Sequence, residues 1–135
     1  MTDKKTKWLI YTVLVGLLPG LCRVLAWIVT NSGIVNILSP SDFVAFGLVL
    51  HISNINEVEH LGDEERDWKT VQNGISITFI TFYSVLYTLT LVPDKVVDIM
   101  KMTYCSGVLA IVSFLISYSV YDRIASIEKV NKVQG

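Results

Sequence analysis

The 135-residue chain is 52% hydrophobic and only 17% charged, with a net charge of −1. A charged share well below the roughly 25% of a soluble domain points to a bilayer, and the near-neutral balance removes the basic surface that direct nucleic-acid binding needs. No Gly-rich phosphate loop, Cys-x-x-Cys, His-Glu-x-x-His or Gly-x-Ser-x-Gly pattern occurs, so neither an enzyme activity nor a cofactor is expected.

The first apolar segment, Trp8–Thr30, would form about 34 Å of helix, enough to span a membrane with some tilt. Lys4, Lys5 and Lys7 precede it like the basic region of a signal peptide, but no small-x-small cleavage site follows, so it is expected to remain as an anchor. Gly16, Gly20, Arg23 and Trp27 share one face. Gly16 and Gly20 form a small-xxx-small pair suited to close helix approach, and Pro19 between them is expected to kink the helix and free the Val15 carbonyl. Arg23 is a permanent cation inside an apolar segment, costing about 2.5–3.5 kcal/mol at a helix centre. It lies about 22 Å above Trp8, in the outer leaflet, where Asp42 is the nearest obvious partner. An Arg23–Asp42 pair pinning the first two helices is the leading expectation, with a cation ring in an oligomer as the rival.

Ser39-Pro40-Ser41-Asp42 reads as a helix start, with Ser39 at the N-cap and Pro40 at the first helical position. The second helix then carries its polarity in its lower half. His51, Asn54, Val58 and Leu61 share one face; Asn56, Glu59 and His60 share another. His51 reads first as an interhelical hydrogen-bonding residue and second as a proton relay. Glu57, Glu59 and His60 are a weak metal set.

The stretch Glu57–Lys69 holds six acids and two bases. It reads either as a solvated loop, with Asp63 capping the next helix, or as a docking site for a cytoplasmic protein built on Glu57, Glu59, Asp63, Glu64, Glu65 and the anchor Trp68. The segments Asn73–Val92 and Thr103–Tyr121 are uncharged and long enough to span. The third carries Ser76, Tyr83, Tyr87 and Thr90 on one stripe and Thr81, Ser84 and Thr88 on another. The fourth carries Ser106, Ala110, Ser113 and Ser117, with Gly107 alongside. Such residues hold membrane bundles together, and in an oligomer could line a pore. Cys22 and Cys105 read as small packing residues. Trp8, Trp27, Tyr118 and Tyr121 fit interfacial aromatic belts. Ile124, Ile127, Val130 and Val133 suggest that the tail is helical.

Charge distinguishes three spans from four. With four, Lys4, Lys5, Lys7, Arg66, Lys69, Arg123, Lys129 and Lys132 are cytoplasmic, and only Lys95 and Lys101 lie outside. The positive-inside rule therefore favours an all-α fold of four transmembrane helices (about 8–30, 40–58, 73–92 and 103–121) with both termini cytoplasmic, the rival being a re-entrant second segment. So many buried polar groups in a small unit imply self-association in the bilayer. Two functions fit: an inner-membrane anchor or sensor that engages a soluble cytoplasmic effector, or a small oligomeric channel or transporter subunit. In span number, orientation and intracellular docking surface the plan resembles the membrane subunit of the two-component bacterial phage-defence system Kiwa. That resemblance implies a soluble partner and a role in antiviral defence.

Overall fold

The computed structural model describes residues 6–7, 9–34, 36–92 and 96–134. Helix α1 is Leu14–Val29, entered through a π-helical turn, Leu9–Val13; α2 is Pro40–Glu59; a 3-10 turn, Asp63–Glu65, leads into α3, Arg66–Thr90; and α4 is Ile99–Gln134. No strand occurs among the described residues. Two stretches, Ile10–Val29 and Ile99–Val130, are long and apolar enough to cross a membrane.

Local chemistry explains most of these boundaries. Ser39 occupies the N-cap of α2 in an extended conformation with Pro40 next, and the Asp42 N–H donates to the Ser39 carbonyl at 3.1 Å. The Ser39 hydroxyl makes no cap bond, however; it pairs with Ser41 Oγ at 3.0 Å. Helix α3 begins at Arg66, well before Asn73, because no breaker separates the acidic stretch from the apolar one, and Glu65 rather than Asp63 holds its N-cap position. The Asp63 side chain lies outside the described residues, as do Trp8, Lys4, Lys5 and Lys95. Asp98 opens α4, its carboxylate accepting from the N–H groups of Met100 and Lys101 at 3.0 and 3.2 Å, a side-chain cap that fixes the helix start. With no Gly or Pro to stop it, α4 continues through Asp122 into the tail as one helix.

Successive helices reverse direction. Arg23 meets Asp42 near one end of α1 and α2, and Thr12 lies 3.4 Å from Ser53 toward the other. Tyr83 lies over Gly47 and Asn73 donates to Glu59, so α3 runs against α2. Phe43 faces Gly107 and Ser53 pairs with Tyr121, so α4 runs parallel to α2. The start of α1, the α2–α3 turn and the tail of α4 therefore share one end of the bundle.

Helix α2 is the hub. It packs against the other three helices, α1 rests on α2 and on neither α3 nor α4, and α3 and α4 meet each other only sparsely. Its buried stripe, Pro40, Val44, Gly47, Leu50, His51, Asn54 and Val58, faces Ser76 and Tyr83 of α3 and Met102, Ser106, Ala110, Ser113, Ser117, Val120, Tyr121 and Ile124 of α4. The outward faces are the apolar ones: Leu14, Leu18, Leu21, Leu25 and Ile28 on α1, and Tyr104, Val108, Ile111 and Leu115 on α4. This reverses the usual arrangement of a water-soluble helix, whose polar face points out.

Helix α1 continues through Pro19, whose missing N–H leaves the Val15 carbonyl without its usual donor. Several other expectations change. Gly16 packs beneath the Phe46 ring rather than against another backbone, and a Cβ added at Gly20 would meet open space. Cys22 and Cys105 are exposed free thiols instead of packing residues. Tyr121 is buried against Ser53, so only Tyr118 of that pair faces outward.

A methyl group at Gly47 would overlap the Tyr83 ring, whereas one at Gly20 meets open space. Gly47→Ala should cost about 1–3 kcal/mol in reversible unfolding from detergent micelles, as overpacking does. Gly20→Ala should be neutral or stabilising, because alanine is the better helix former. Equal effects would contradict this packing.

Candidate functional site

Two polar constellations stand out, one inside the bundle and one at the end shared by the α2–α3 turn and the tail. The inner one is assembled by three helices. The heptad-like spacing of α2 turns His51 inward, fully buried. Its Nε2 lies 2.8 Å from Ser113 Oγ on α4 and its Nδ1 lies 3.4 Å from Ser76 Oγ on α3, while Tyr83 Oη lies 2.6 Å from the same Ser113 Oγ. Phe79 stacks on the imidazole at a centroid distance of 4.8 Å.

A neutral imidazole offers one N–H and one lone pair, so His51 donates through one nitrogen and accepts through the other. One consistent chain runs from the Tyr83 hydroxyl to Ser113, from the Ser113 hydroxyl to His51 Nε2, and from His51 Nδ1–H to Ser76. The unit ties three helices together and fixes their rotation. Asn54 follows on the same α2 stripe and, like Ser117 on α4, is fully buried. Gly107 gives ordinary packing room to Phe43.

Arg23 and Asp42 form the ion pair that the sequence suggests, Nε to Oδ2 at 2.5 Å, with side-chain exposures of 29% and 16%. The half-buried pair joins α1 to the start of α2, which is how a cation in an apolar helix acquires a partner.

At the other end, the acidic stretch is partly engaged by the chain itself. Glu65 accepts from Arg123 Nη2 at 3.2 Å, and the Arg123 guanidinium lies 4.7 Å from the Trp68 ring centroid. Trp68 packs against the cluster formed by Leu50, Val58, Val120, Tyr121 and Ile124. These contacts clamp the tail of α4 to the start of α3. Lys69 Nζ donates to the Leu61 carbonyl at 2.9 Å, and Asn73 Nδ2 donates to Glu59 at 2.9 Å. Glu57 is half-buried, whereas Glu64, Asp67 and the tail residues Val130 and Val133 are exposed. His60 Nδ1 contacts the Asn56 carbonyl at 2.7 Å, and no group of three or more His, Cys, Asp or Glu that could hold a metal occurs among the described residues.

Sequence reasoning did not anticipate the Tyr83–Gly47 contact, the Ser53–Tyr121 pair or the Arg123–Trp68 clamp. Gly47 on the buried stripe of α2 was the available signal for the first; the other two depend on α4 running parallel to α2 over its full length. The chain matches no family model, no curated protein and no solved structure.

Removing the Ser113 hydroxyl leaves His51 Nε2 and the Tyr83 hydroxyl without their shared partner. Ser113→Ala should destabilise the protein by about 1–3 kcal/mol. Ser84→Ala removes only a bond to the Ile80 carbonyl of its own helix and should leave the unfolding midpoint unchanged. Equal midpoints for the two variants would contradict the network.

Proposed function

We propose that the chain is a four-span, multi-pass protein of a bacterial inner membrane, with both termini cytoplasmic. In this reading it self-associates and presents its turn-and-tail end to a soluble effector protein. The observation that carries this reading is the reversed polarity of the bundle. Polar residues His51, Asn54, Ser76, Ser106, Ser113 and Ser117 are buried, while rows of Leu, Ile and Val face outward.

Neither α2 nor α3 is among the stretches long and apolar enough by themselves to cross a membrane, yet a helix packed among others in a bundle need not be apolar all round to lie in a bilayer. The alternating helix directions also support four spans, because they bring Lys7, Arg66, Lys69 and the basic tail to one end. The effector-facing surface is narrower than the whole acidic stretch. Glu65 and Trp68 serve the internal clamp, so Glu64, Asp67 and the exposed tail residues Lys129, Val130 and Val133 form the surface offered to a partner. The resemblance to the Kiwa membrane subunit extends the proposal to antiviral defence. An oligomeric channel or transporter subunit is the alternative: the hydroxyl face of α4 is turned inside each chain, whereas Thr81, Ser84 and Thr88 of α3 face outward, where a pore between copies could use them.

Topology and docking are tested separately. In a cysteine-free background, Asn36→Cys should react with an impermeant maleimide on intact spheroplasts, and Glu64→Cys only after permeabilisation. Labelling of both from outside would refute the orientation. In co-purification, Glu64→Lys with Asp67→Lys should lower recovery of the effector about tenfold, equivalent to about 1.4 kcal/mol; undiminished recovery would refute docking at this surface.

A further inference from the structure

Five side-chain atoms among the described residues are buried without a hydrogen-bond partner: Asn54 Nδ2 and Oδ1, Ser117 Oγ, Gln72 Oε1 and Asn73 Oδ1. All four residues lie on the turn-and-tail side of His51. Asn54 and Ser117 sit on facing helices in the same layer. One turn before them, His51 meets Ser113 at 2.8 Å, and α4 runs parallel to α2. Residues three and four apart on a helix share a face; Asn54 lies three residues after His51 and Ser117 four after Ser113, so the His51–Ser113 contact places both against the same interhelical seam. Asn54 is 1% exposed and Ser117 is 0% exposed.

A buried amide and hydroxyl left unpaired are costly. Their chemistry identifies what would satisfy them. Asn54 presents a donor and an acceptor, and Ser117 presents a hydroxyl that can do either. A metal cation could answer only the oxygens and would repel the amide N–H groups. Water answers all three groups, and a buried water characteristically makes about three hydrogen bonds.

We propose that Asn54 and Ser117 form a buried water-binding site between α2 and α4. It is one link in a hydrogen-bonded seam that approaches the His51 network from the turn-and-tail side. Asn73, already donating to Glu59 at that end, and Gln72 supply the neighbouring acceptors. On the far side of His51 the seam is closed by the Tyr83 ring packed over Gly47.

The test is water-edited solid-state NMR on the labelled full chain in bilayers, repeated in detergent micelles so that the result stands apart from the membrane topology. The Asn54 side-chain amide should receive magnetisation from water as early as that of exposed Asn36. In Ser117→Ala, which removes one of the three protein groups available to the water, the initial transfer rate should fall about twofold or more. Transfer to Asn54 no earlier than to the lipid-facing part of α4 would overturn the proposal. So would an unchanged rate in Ser117→Ala, or an Asn54 carbonyl shift that follows sodium while its amide stays dry.

Discussion

The structure depends on enclosing a polar helix. α2 carries His51, Ser53 and Asn54 along its length, side chains that are costly against lipid. The bundle accommodates them by surrounding α2: α1 covers one side through Gly16 and the Arg23–Asp42 pair, while α3 and α4 cover the others through Ser76, Tyr83 and Ser113. Once α2 is enclosed, every other helix has an inner side that must match it and an outer side that is free to be apolar. The outward apolar faces of α1 and α4 follow from that requirement, while α3 also exposes Thr81, Ser84 and Thr88.

The two strongest polar interactions divide the labour. Arg23 and Asp42 fix the start of α2 against α1, and the His51–Ser113–Tyr83 unit fixes its middle against α3 and α4. The third fixing point is aromatic and charged, where Arg123 covers Trp68 and reaches Glu65. It lies at the end where a cytoplasmic effector is proposed to bind, so the surface offered to a partner rests on a braced helix pair rather than on a free loop. In apolar surroundings hydrogen bonds and close packing must replace the hydrophobic drive between helices. The small residues Gly16, Gly47 and Ser113 at the contacts are consistent with that substitution.

Much of this was legible in the sequence because helical periodicity is local. The bounds of α2, the inward stripe from His51 to Val58, the hydroxyl face of α4 and the partnership of Arg23 with Asp42 all follow from residues three or four apart and from a scarcity of alternative charges. What was not legible depends on helix rotation and length. Gly20 looked like the second half of a packing pair, but α1 leans on α2 through Gly16 and Arg23, leaving Gly20 uncovered. Nothing near Trp68 and Glu65 in the sequence points to their partner, Arg123, which lies more than fifty residues away. It reaches them only because α4 continues unbroken into the tail. Cys22 and Cys105 sit in apolar segments, and on α1 and α4 the apolar side is the outer one, where both thiols are exposed.

The central claim, that the apolar stripe of α4 faces lipid while its hydroxyl stripe faces α2, is tested most directly by spin labels placed singly from Tyr104 to Tyr118 in bilayer-reconstituted protein. Accessibility to dissolved oxygen should oscillate with the helical period, peaking at Tyr104, Val108, Ile111 and Leu115 and falling to minima at Ser106, Ala110, Ser113 and Ser117. A flat profile, or one with maxima on the serine face, would contradict the enclosure of α2.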